Sequence, residues 1–281
     1  MKNTIFLIIS LFLFFKINAQ DNFCVSPIDM HIIDSKELGE QREYWVSLPI
    51  DYKDSLNYPV IYVFDAEWRF GLIRNITFDM GGNNKINKSI VVGIPHVEWE
   101  KKRGIDLTFS QSRIEYDGDT VDATWYNDSN SGGGYKFYSY LLKELIPDVN
   151  KRYSTNEHET LVGHSYGGYF GGYLLSLDHP FDVIHMYDPS IWFSDGEVIT
   201  RLKEKKHNKK NVKLHITYQP VPVFHRNKIE TLIEELKKIK NFEVSVVRYD
   251  DETHNSLFLD SFIKGIQTTN KLENNKNSEQ H

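Results

Sequence analysis

The spacing of apolar residues along the chain divides it into alternating strands and helices. Short, largely apolar runs are typical of central parallel strands that are covered on both faces. Such runs occur at 59–64, 89–94, 159–162, 182–187 and 212–218. Apolar residues that recur every three or four positions predict helices at 68–78, 135–153, 166–177, 195–206, 227–240 and 256–266. A hairpin over 30–49 and a last strand over 242–249 complete the pattern.

This order of elements predicts an α/β fold. Strands that alternate with helices after an opening hairpin indicate a mostly parallel, doubly wound sheet with helices on both faces. Roughly 250 residues suit one hydrophobic core, so we expect a single domain over 21–270. Ligands of such sheets bind beyond the carboxyl ends of the strands. The segments that follow the strands are therefore where functional side chains are expected.

The stretch from 96 to 134 has no regular period. It holds Trp99, Trp125 and Tyr126 among charged residues and ends in three consecutive glycines. A long aperiodic segment in a compact domain is usually a lid, a binding loop or disorder. Its aromatic residues favour the wall of a pocket, and we assign Trp125 to substrate binding on that ground.

The two ends of the chain differ from the domain between them. Residues 1–20 carry a lysine near the start, an apolar run over 5–15 and a small-residue end at Ala19. This pattern predicts a cleavable signal peptide and hence a secreted or periplasmic protein. The apolar run is shorter than the roughly 20 residues that span a bilayer, so no stable membrane anchor is expected. Residues 271–281 are polar except for Leu272 and predict a disordered tail.

Composition narrows the range of partners. The formal charge is −6, and removal of residues 1–20 takes away Lys2 and Lys16 and no acid, which gives −8. An acidic chain without a long basic run argues against nucleic acid as a partner. Cys24 is the only cysteine, so no internal disulfide can form. No cluster has metal-ligand spacing and no glycine-rich dinucleotide motif follows a strand, so neither a metal nor a cofactor is expected.

One motif carries recognisable chemistry. Residues 161–168 read Leu-Val-Gly-His-Ser-Tyr-Gly-Gly and contain Gly-x-Ser-x-Gly, the sequence of a nucleophile elbow. Such a turn holds its serine in a strained conformation, and glycines at the positions of Gly163 and Gly167 relieve the crowding on either side. An incidental serine in a glycine-rich turn would give the same letters. The predicted strand before the motif and the helix after it favour a nucleophile at Ser165.

A serine nucleophile needs a base, and two histidines compete for that role. His254 follows the last strand, and His225 lies in a predicted loop. Asp188 and Glu67 each follow another strand, so these side chains converge with Ser165 at the carboxyl edge of the sheet. We expect His254 to be the base.

The oxyanion of the reaction needs two backbone donors. We expect one from Tyr166, at the start of the helix after the elbow. The second is expected from Glu67 or Ala66, in the loop after the 59–64 strand.

The sequence leaves several alternatives for the acid that would pair with the catalytic histidine. Asp188 keeps the chain order Ser, Asp, His that is typical of nucleophile-elbow hydrolases, and it could also be a turn residue before Pro189. A serine–histidine pair without an acid is a further alternative. Three carboxylates closer in sequence to the base are more plausible as solvated turn residues: Asp250, Asp251 and Glu252.

Several blocks of the chain together resemble the putative-esterase branch of the α/β hydrolases, which includes enterobactin-type siderophore esterases and relatives of esterase D and the feruloyl esterases. The matching blocks cover 42–49, 58–65, 91–94, 103–108, 132–153, the elbow, 188–193 and 253–256. The resemblance implies an α/β-hydrolase fold, with Ser165 as nucleophile and His254 as base. It also implies that Trp192 lines the acyl site, and Arg103, within a matching block, is assigned to substrate binding.

The chain departs from these relatives at two strand ends. They usually carry an acid after the strand at 212–218, where this chain has no carboxylate over 219–226. They usually show Ser-Pro-Ser after the preceding strand, where this chain has Asp188-Pro189-Ser190. An acid is thus missing from one strand end and present at its neighbour.

The sequence therefore predicts a secreted serine hydrolase that cleaves small-molecule carboxylic esters through an acyl-enzyme. Siderophore lactones or aryl esters are the substrates that the resemblance implies. An acyltransferase or a peptidase uses the same constellation. A binding protein on a degenerate hydrolase fold is the alternative from another class, favoured by the altered acid position.

Overall fold

The computed structural model describes residues 27–204 and 211–272. The predicted signal peptide and residues 273–281 of the predicted tail lie outside the described residues. None of the helices over the described ranges combines the length and the apolar character needed to cross a membrane.

Across the described residues, eight strands form one sheet in the order β1-β2-β4-β3-β5-β6-β7-β8. β1 pairs with β2 in an antiparallel hairpin, β2 is antiparallel to β4, and all other neighbours are parallel. The strands are β1 (Ile28–Ser35), β2 (Glu40–Ser47), β3 (Tyr58–Phe64), β4 (Ile90–Ile94), β5 (Thr155–His164), β6 (Val183–Tyr187), β7 (Val212–Tyr218) and β8 (Phe242–Arg248). The predicted mostly parallel sheet and α/β-hydrolase fold are confirmed.

The helices connect these strands and cover both faces of the sheet. They are α1 (Ala66–Gly82), α2 (Trp99–Leu107), α3 (Gly134–Tyr140), α4 (Ile146–Arg152), α5 (Tyr166–Leu174), α6 (Glu197–Glu204), α7 (Val223–Leu236) and α8 (Phe258–Thr269). A π-helical turn, Leu141–Leu145, joins α3 to α4, so the helix predicted over 135–153 is present with an irregular middle.

Three predictions about local structure are wrong. The stretch predicted to be aperiodic contains α2, and its Gly104 packs closely, since a Cβ there would lie 2.2 Å from the carbonyl oxygen of Asn130. α1 continues through Gly81 and Gly82, four residues beyond its predicted end at 78. α7 begins at Val223, four residues before its predicted start. At Gly104 a contact distant in sequence outweighs the low helix propensity of glycine.

Two hydrophobic clusters fix the helices against the sheet. On one face, α1 packs on β3 and β4 and α8 packs on β6 and β7, with Ile73 and Phe262 fully buried. On the other, helices α3 to α7 pack on the strands, with Phe137 and Phe170 fully buried. Every residue of β3 is buried, as expected for a central strand covered on both sides. This packing holds the carboxyl ends of β3, β5, β6 and β8 in fixed positions.

Candidate active site

The turn between β5 and α5 has the geometry of a nucleophile elbow. Ser165 lies between the two elements with φ 59° and ψ −118°, a conformation that non-glycine residues seldom adopt. A Cβ at Gly163 would lie 2.2 Å from the carbonyl oxygen of Gly167. A Cβ at Gly168 would lie 2.8 Å from the Cβ of Pro189. The glycines of the motif therefore permit close backbone approach around the serine.

Asp188, at the end of β6, contacts two histidines. His254 Nδ1 donates to Asp188 Oδ2 at 2.6 Å, and His225 Nε2 donates to Asp188 Oδ1 at 3.0 Å. The backbone N–H of Gln219 also donates to Oδ1, at 3.2 Å. His225, which the sequence offered as a rival base, thus contacts the acid in this arrangement.

The surroundings of Asp188 determine its charge. Burial alone would raise the pKa of this carboxyl, but the hydrogen bonds from His225 and His254 lower the pKa well below its usual range. Asp188 is therefore ionised at neutral pH although its side chain is fully buried. An ionised acceptor at Nδ1 holds the proton of His254 on that nitrogen and leaves Nε2 as the proton acceptor.

Ser165 and His254 line the same two cavities. The Oγ of Ser165 lies 3.3 Å from the Oγ of Ser190. Over residues 27–204 and 211–272 no hydrogen bond joins Ser165 to His254. Substrate-free active sites often have long contacts at this point, which tighten when substrate binds.

His164, the residue before the serine, contacts the loop of the predicted base. Its Nε2 donates to the backbone carbonyl of His254 at 2.6 Å, and the two rings have centroids 4.4 Å apart. Burial lowers the pKa of His164 to about 3, with smaller contributions from the charges of His254 and Arg69. His164 is therefore neutral and fixes the position of the loop.

Two cavities meet at the serine. The first has a volume of about 620 Å³, and its lining includes Ser165, Tyr166, Trp192 and His254. The second has a volume of about 500 Å³ and shares Ser165 and His254 with the first. An ester whose carbonyl carbon lies at Ser165 can therefore place its acyl half in one cavity and its alcohol half in the other.

Arg103 lies in the second cavity, held by Asp65 at the end of β3. Its Nε and one terminal nitrogen donate to the two oxygens of Asp65 at 2.5 and 2.9 Å, and it also reaches the carbonyl of His164 at 3.3 Å. Burial would raise the pKa of Asp65, but the Arg103 guanidinium lowers it. The charge of Arg103 is thus neutralised within the protein.

A buried ion network continues from Asp65 away from the serine. His96 Nε2 lies 3.6 Å from Asp65, and His96 Nδ1 lies 2.8 Å from Asp106. Arg42 donates to both oxygens of Asp106 at 2.7 and 2.8 Å. The sequence predicts no role for His96, Asp106 or Arg42. Asp106 lies in a block shared with the esterases, which was the one signal that could have drawn attention to it.

The remaining predicted residues occupy different positions. Tyr166 and Glu67 lie in the first turns of α5 and α1, where helix geometry leaves backbone N–H groups without helical partners. Glu67 lines a neighbouring groove beside Trp68 rather than either of the two cavities. Trp125 is 59% exposed and also lines neither cavity. The structure therefore does not bring Trp125 to the serine.

Asp188, His225 and His254 offer ligand atoms that all lie within 4.8 Å of one another, a spacing that could hold a metal ion. Both carboxylate oxygens of Asp188 already accept hydrogen bonds from the two imidazoles. The hydrogen bonds account for this grouping without an ion.

Comparison with known proteins gives a consistent set of relatives. Residues 35–186, more than half of the chain, match the profile of the family described as Putative esterase. The crystal structure of an IroE-like serine hydrolase from Shewanella oneidensis superimposes with a TM-score of 0.76 at 26% identity, over 86% of this chain and 79% of that one.

Two curated proteins of Bacillus subtilis are also similar in sequence. The uncharacterized protein YjcH is 25% identical over 177 residues, which are 60% of this chain and 63% of that protein. The ferri-bacillibactin esterase BesA is 23% identical over 157 residues, which are 53% of each chain. The chain spans less than two thirds of the length of either curated relative.

Proposed function

The chain belongs to the putative esterase family, and from that premise we propose that it hydrolyses carboxylic esters with Ser165 as the nucleophile. One observation carries the proposal. The elbow serine lies at the junction of two cavities, which it shares with an imidazole whose Nδ1 is bound to a buried, ionised aspartate.

The proposed reaction has two halves. The Oγ of Ser165 attacks the ester carbonyl while Nε2 of His254 takes its proton, and Asp188 stabilises the resulting imidazolium. The oxyanion accepts hydrogen bonds from the backbone N–H groups of Tyr166 and of Glu67 or Ala66. The C–O bond then breaks, and the alcohol leaves with the proton from His254. Water, deprotonated by the same imidazole, hydrolyses the acyl-enzyme and restores the serine.

The proposed substrates are siderophore lactones or aryl esters. The name of the similar ferri-bacillibactin esterase supports this class. The first cavity supports it as well, because Tyr116, Tyr166 and Trp192 line it with aromatic rings. Trp192, which the family resemblance assigns to the acyl half, would contact an aryl acyl group there.

Ser165→Ala tests the assignment. We expect the variant to fold and its kcat to fall by at least about 10³, because members of a catalytic triad act as a unit. The measurement is the hydrolysis of p-nitrophenyl esters, feruloyl esters and ferric siderophores, together with labelling by a fluorophosphonate probe.

Ser190→Ala is the matched control, since this hydroxyl lies 3.3 Å from that of Ser165. The probe should label Ser190→Ala and not Ser165→Ala. Labelling that persists in Ser165→Ala would end the assignment. Folded wild-type protein that is neither labelled nor active would favour a binding protein on a hydrolase fold.

We also propose that the protein is exported from the cytoplasm. The charged start, the apolar run and the small-residue end within residues 1–20 support export. Protein recovered from its native host should begin within a residue or two of Gln20 when its N-terminus is sequenced. An intact Met1 on the recovered protein would contradict the proposal.

A further inference from the structure

Arg69, near the start of α1, lines the second cavity together with Ser165 and His254. Its guanidinium carbon lies 4.1 Å from the centroid of the Phe258 ring. Throughout residues 27–204 and 211–272, no carboxylate forms an ion pair with its side chain. Arg103 in the same cavity differs, because Asp65 neutralises it. Of the residues that the structure describes, Asp65 is the one carboxylate that lines this cavity, and it faces both guanidiniums without forming an ion pair with Arg69, so the lining carries one more positive than negative charge.

A partly buried guanidinium without an ion-pair partner is unfavourable in free energy. Burial lowers the pKa of Arg69, which indicates that the guanidinium is partly withdrawn from water. Moving a charge out of water costs free energy unless an ion of opposite sign pairs with it. The geometry of a guanidinium suits a planar anion, which it binds through two parallel hydrogen bonds.

Two exposed tryptophans lie beside this charge. Trp68 and Trp99 both line the second cavity, with ring centroids 6.0 Å apart and with 68% and 38% of their surfaces exposed. Exposed aromatic faces next to a guanidinium are suited to a flat group that is apolar on its faces and anionic at its edge.

We propose that the second cavity binds the alcohol half of the substrate, and that this alcohol is a flat hydroxy acid whose carboxylate pairs with Arg69. The inference rests on the proposed ester hydrolysis at Ser165. The assignment of the two halves follows from the proposed contact of the acyl group with Trp192 in the first cavity, which leaves the second cavity for the alcohol.

The test compares two esters of one acid, 4-(butyryloxy)benzoate and phenyl butyrate. They share the acyl group and differ in a carboxylate on the alcohol half. The readout is the ratio of their kcat/KM values, since a ratio compared between variants cancels the difference in their intrinsic reactivity. In Arg69→Gln we expect this ratio to fall about 10- to 100-fold, the loss typical of one charge-assisted contact. Arg69→Lys should keep part of the ratio because it keeps the charge.

Arg152→Gln is the matched control, because it removes the same charge from an ion pair with Asp148 on α4. Its ratio should stay at the wild-type value. If Arg69→Gln lowers the melting temperature and slows both esters equally, Arg69 only clamps α1 to Phe258, and the proposal is overturned. The monophenyl ester of succinic acid carries its carboxylate on the acyl half. If Arg69→Gln lowers kcat/KM for this ester relative to phenyl butyrate instead, the anion belongs to the acyl half, and the assignment of the halves is overturned.

A binding measurement separates this inference from the proposed activity. Calorimetry with Ser165→Ala should detect 4-hydroxybenzoate, the alcohol product, and the added Arg69→Gln substitution should weaken its binding about 10-fold or more. Wild-type protein that does not hydrolyse phenyl butyrate would count against the esterase function alone. Equal binding of 4-hydroxybenzoate with and without Arg69→Gln would count against the anion site alone.

Discussion

Asp65 and Asp188 occupy equivalent positions on the two sides of the serine and have different partners. Each directly follows a parallel strand, each is buried, and each has a positive φ, 55° and 39° respectively. Asp65 is bound to the guanidinium of Arg103, which keeps its proton at all ordinary pH values. Asp188 is bound to two imidazoles, side chains that can carry a proton between reacting groups.

The hydrogen-bond partner, rather than the backbone position, determines the role that a buried carboxylate at the edge of the sheet can have. In both cases burial would raise the pKa and the partners lower it. A carboxylate paired with a guanidinium is fixed in charge and can only hold structure. A carboxylate paired with an imidazole stabilises a proton that arrives during a reaction.

Asp188→Asn should have the largest effect on activity. The substitution keeps the shape of the side chain and removes the charge that stabilises the imidazolium of His254. We expect kcat to fall by about 10² to 10⁴, with a melting temperature close to that of the wild type. Ester hydrolysis and thermal unfolding measure the two quantities. Activity that survives nearly whole would make a serine–histidine pair without an acid the better account.

Asp65→Asn should lower the free energy of unfolding and have little effect on kcat, the opposite of the result expected for Asp188→Asn. It leaves the guanidinium of Arg103 buried and without its anion, a change that typically costs about 3 to 5 kcal/mol. Unfolding in urea at pH 7 measures this loss. We expect kcat of the folded variant to change less than about tenfold. A larger loss of kcat than in Asp188→Asn would remove the distinction between the two aspartates.

The dependence on pH provides a control for Asp65. Its pKa is lower in the folded state than the value of about 3.9 for an unperturbed aspartate. The stability that it contributes is therefore present above about pH 4 and is lost as the pH falls below that value. The difference between wild type and Asp65→Asn should shrink on the acid side of pH 4.

Substitution of His225 should have the smallest effect. His225→Leu leaves Oδ1 of Asp188 with the N–H of Gln219 as its remaining donor, and we expect kcat to fall about tenfold, the effect of one hydrogen bond to a charged group. His225→Gln can still donate and should recover most of this loss. In His225→Leu, the acid limb of the pH profile of kcat/KM should also shift to higher pH. Equal losses in both variants with an unchanged profile would indicate a packing role.

The residues that the sequence predicted are those whose positions follow from the order of the strands. Ser165, Asp188 and His254 each follow a strand that the apolar pattern identifies, and the parallel sheet brings strand ends together at one edge. Their convergence therefore required no knowledge of side-chain packing. Their catalytic roles stay predictions until the variants are measured.

The residues that the sequence missed depend on contacts between distant segments. The sequence predicts His225 as a rival base in a loop, and its contact with Asp188 from within α7 does not follow from that pattern. Arg69 has no sequence signal, because whether a cation finds a counter-ion depends on which elements pack around it. The assignment of Trp125 to substrate binding stays a prediction, and its side chain is exposed and lines neither of the two cavities.

The adjacency of β6 and β7 has a consequence for how the acid of such a site is recognised in a sequence. Their ends are hydrogen-bonded neighbours, and the backbone N–H of Asp188 donates to the carbonyl of Thr217 at 2.7 Å. The stretch in which the resembling esterases are expected to carry their acid, 219–226 in this chain, therefore begins beside Asp188. A sequence search that accepts an acid after only one of these two strands would overlook a candidate partner of His254 after the other.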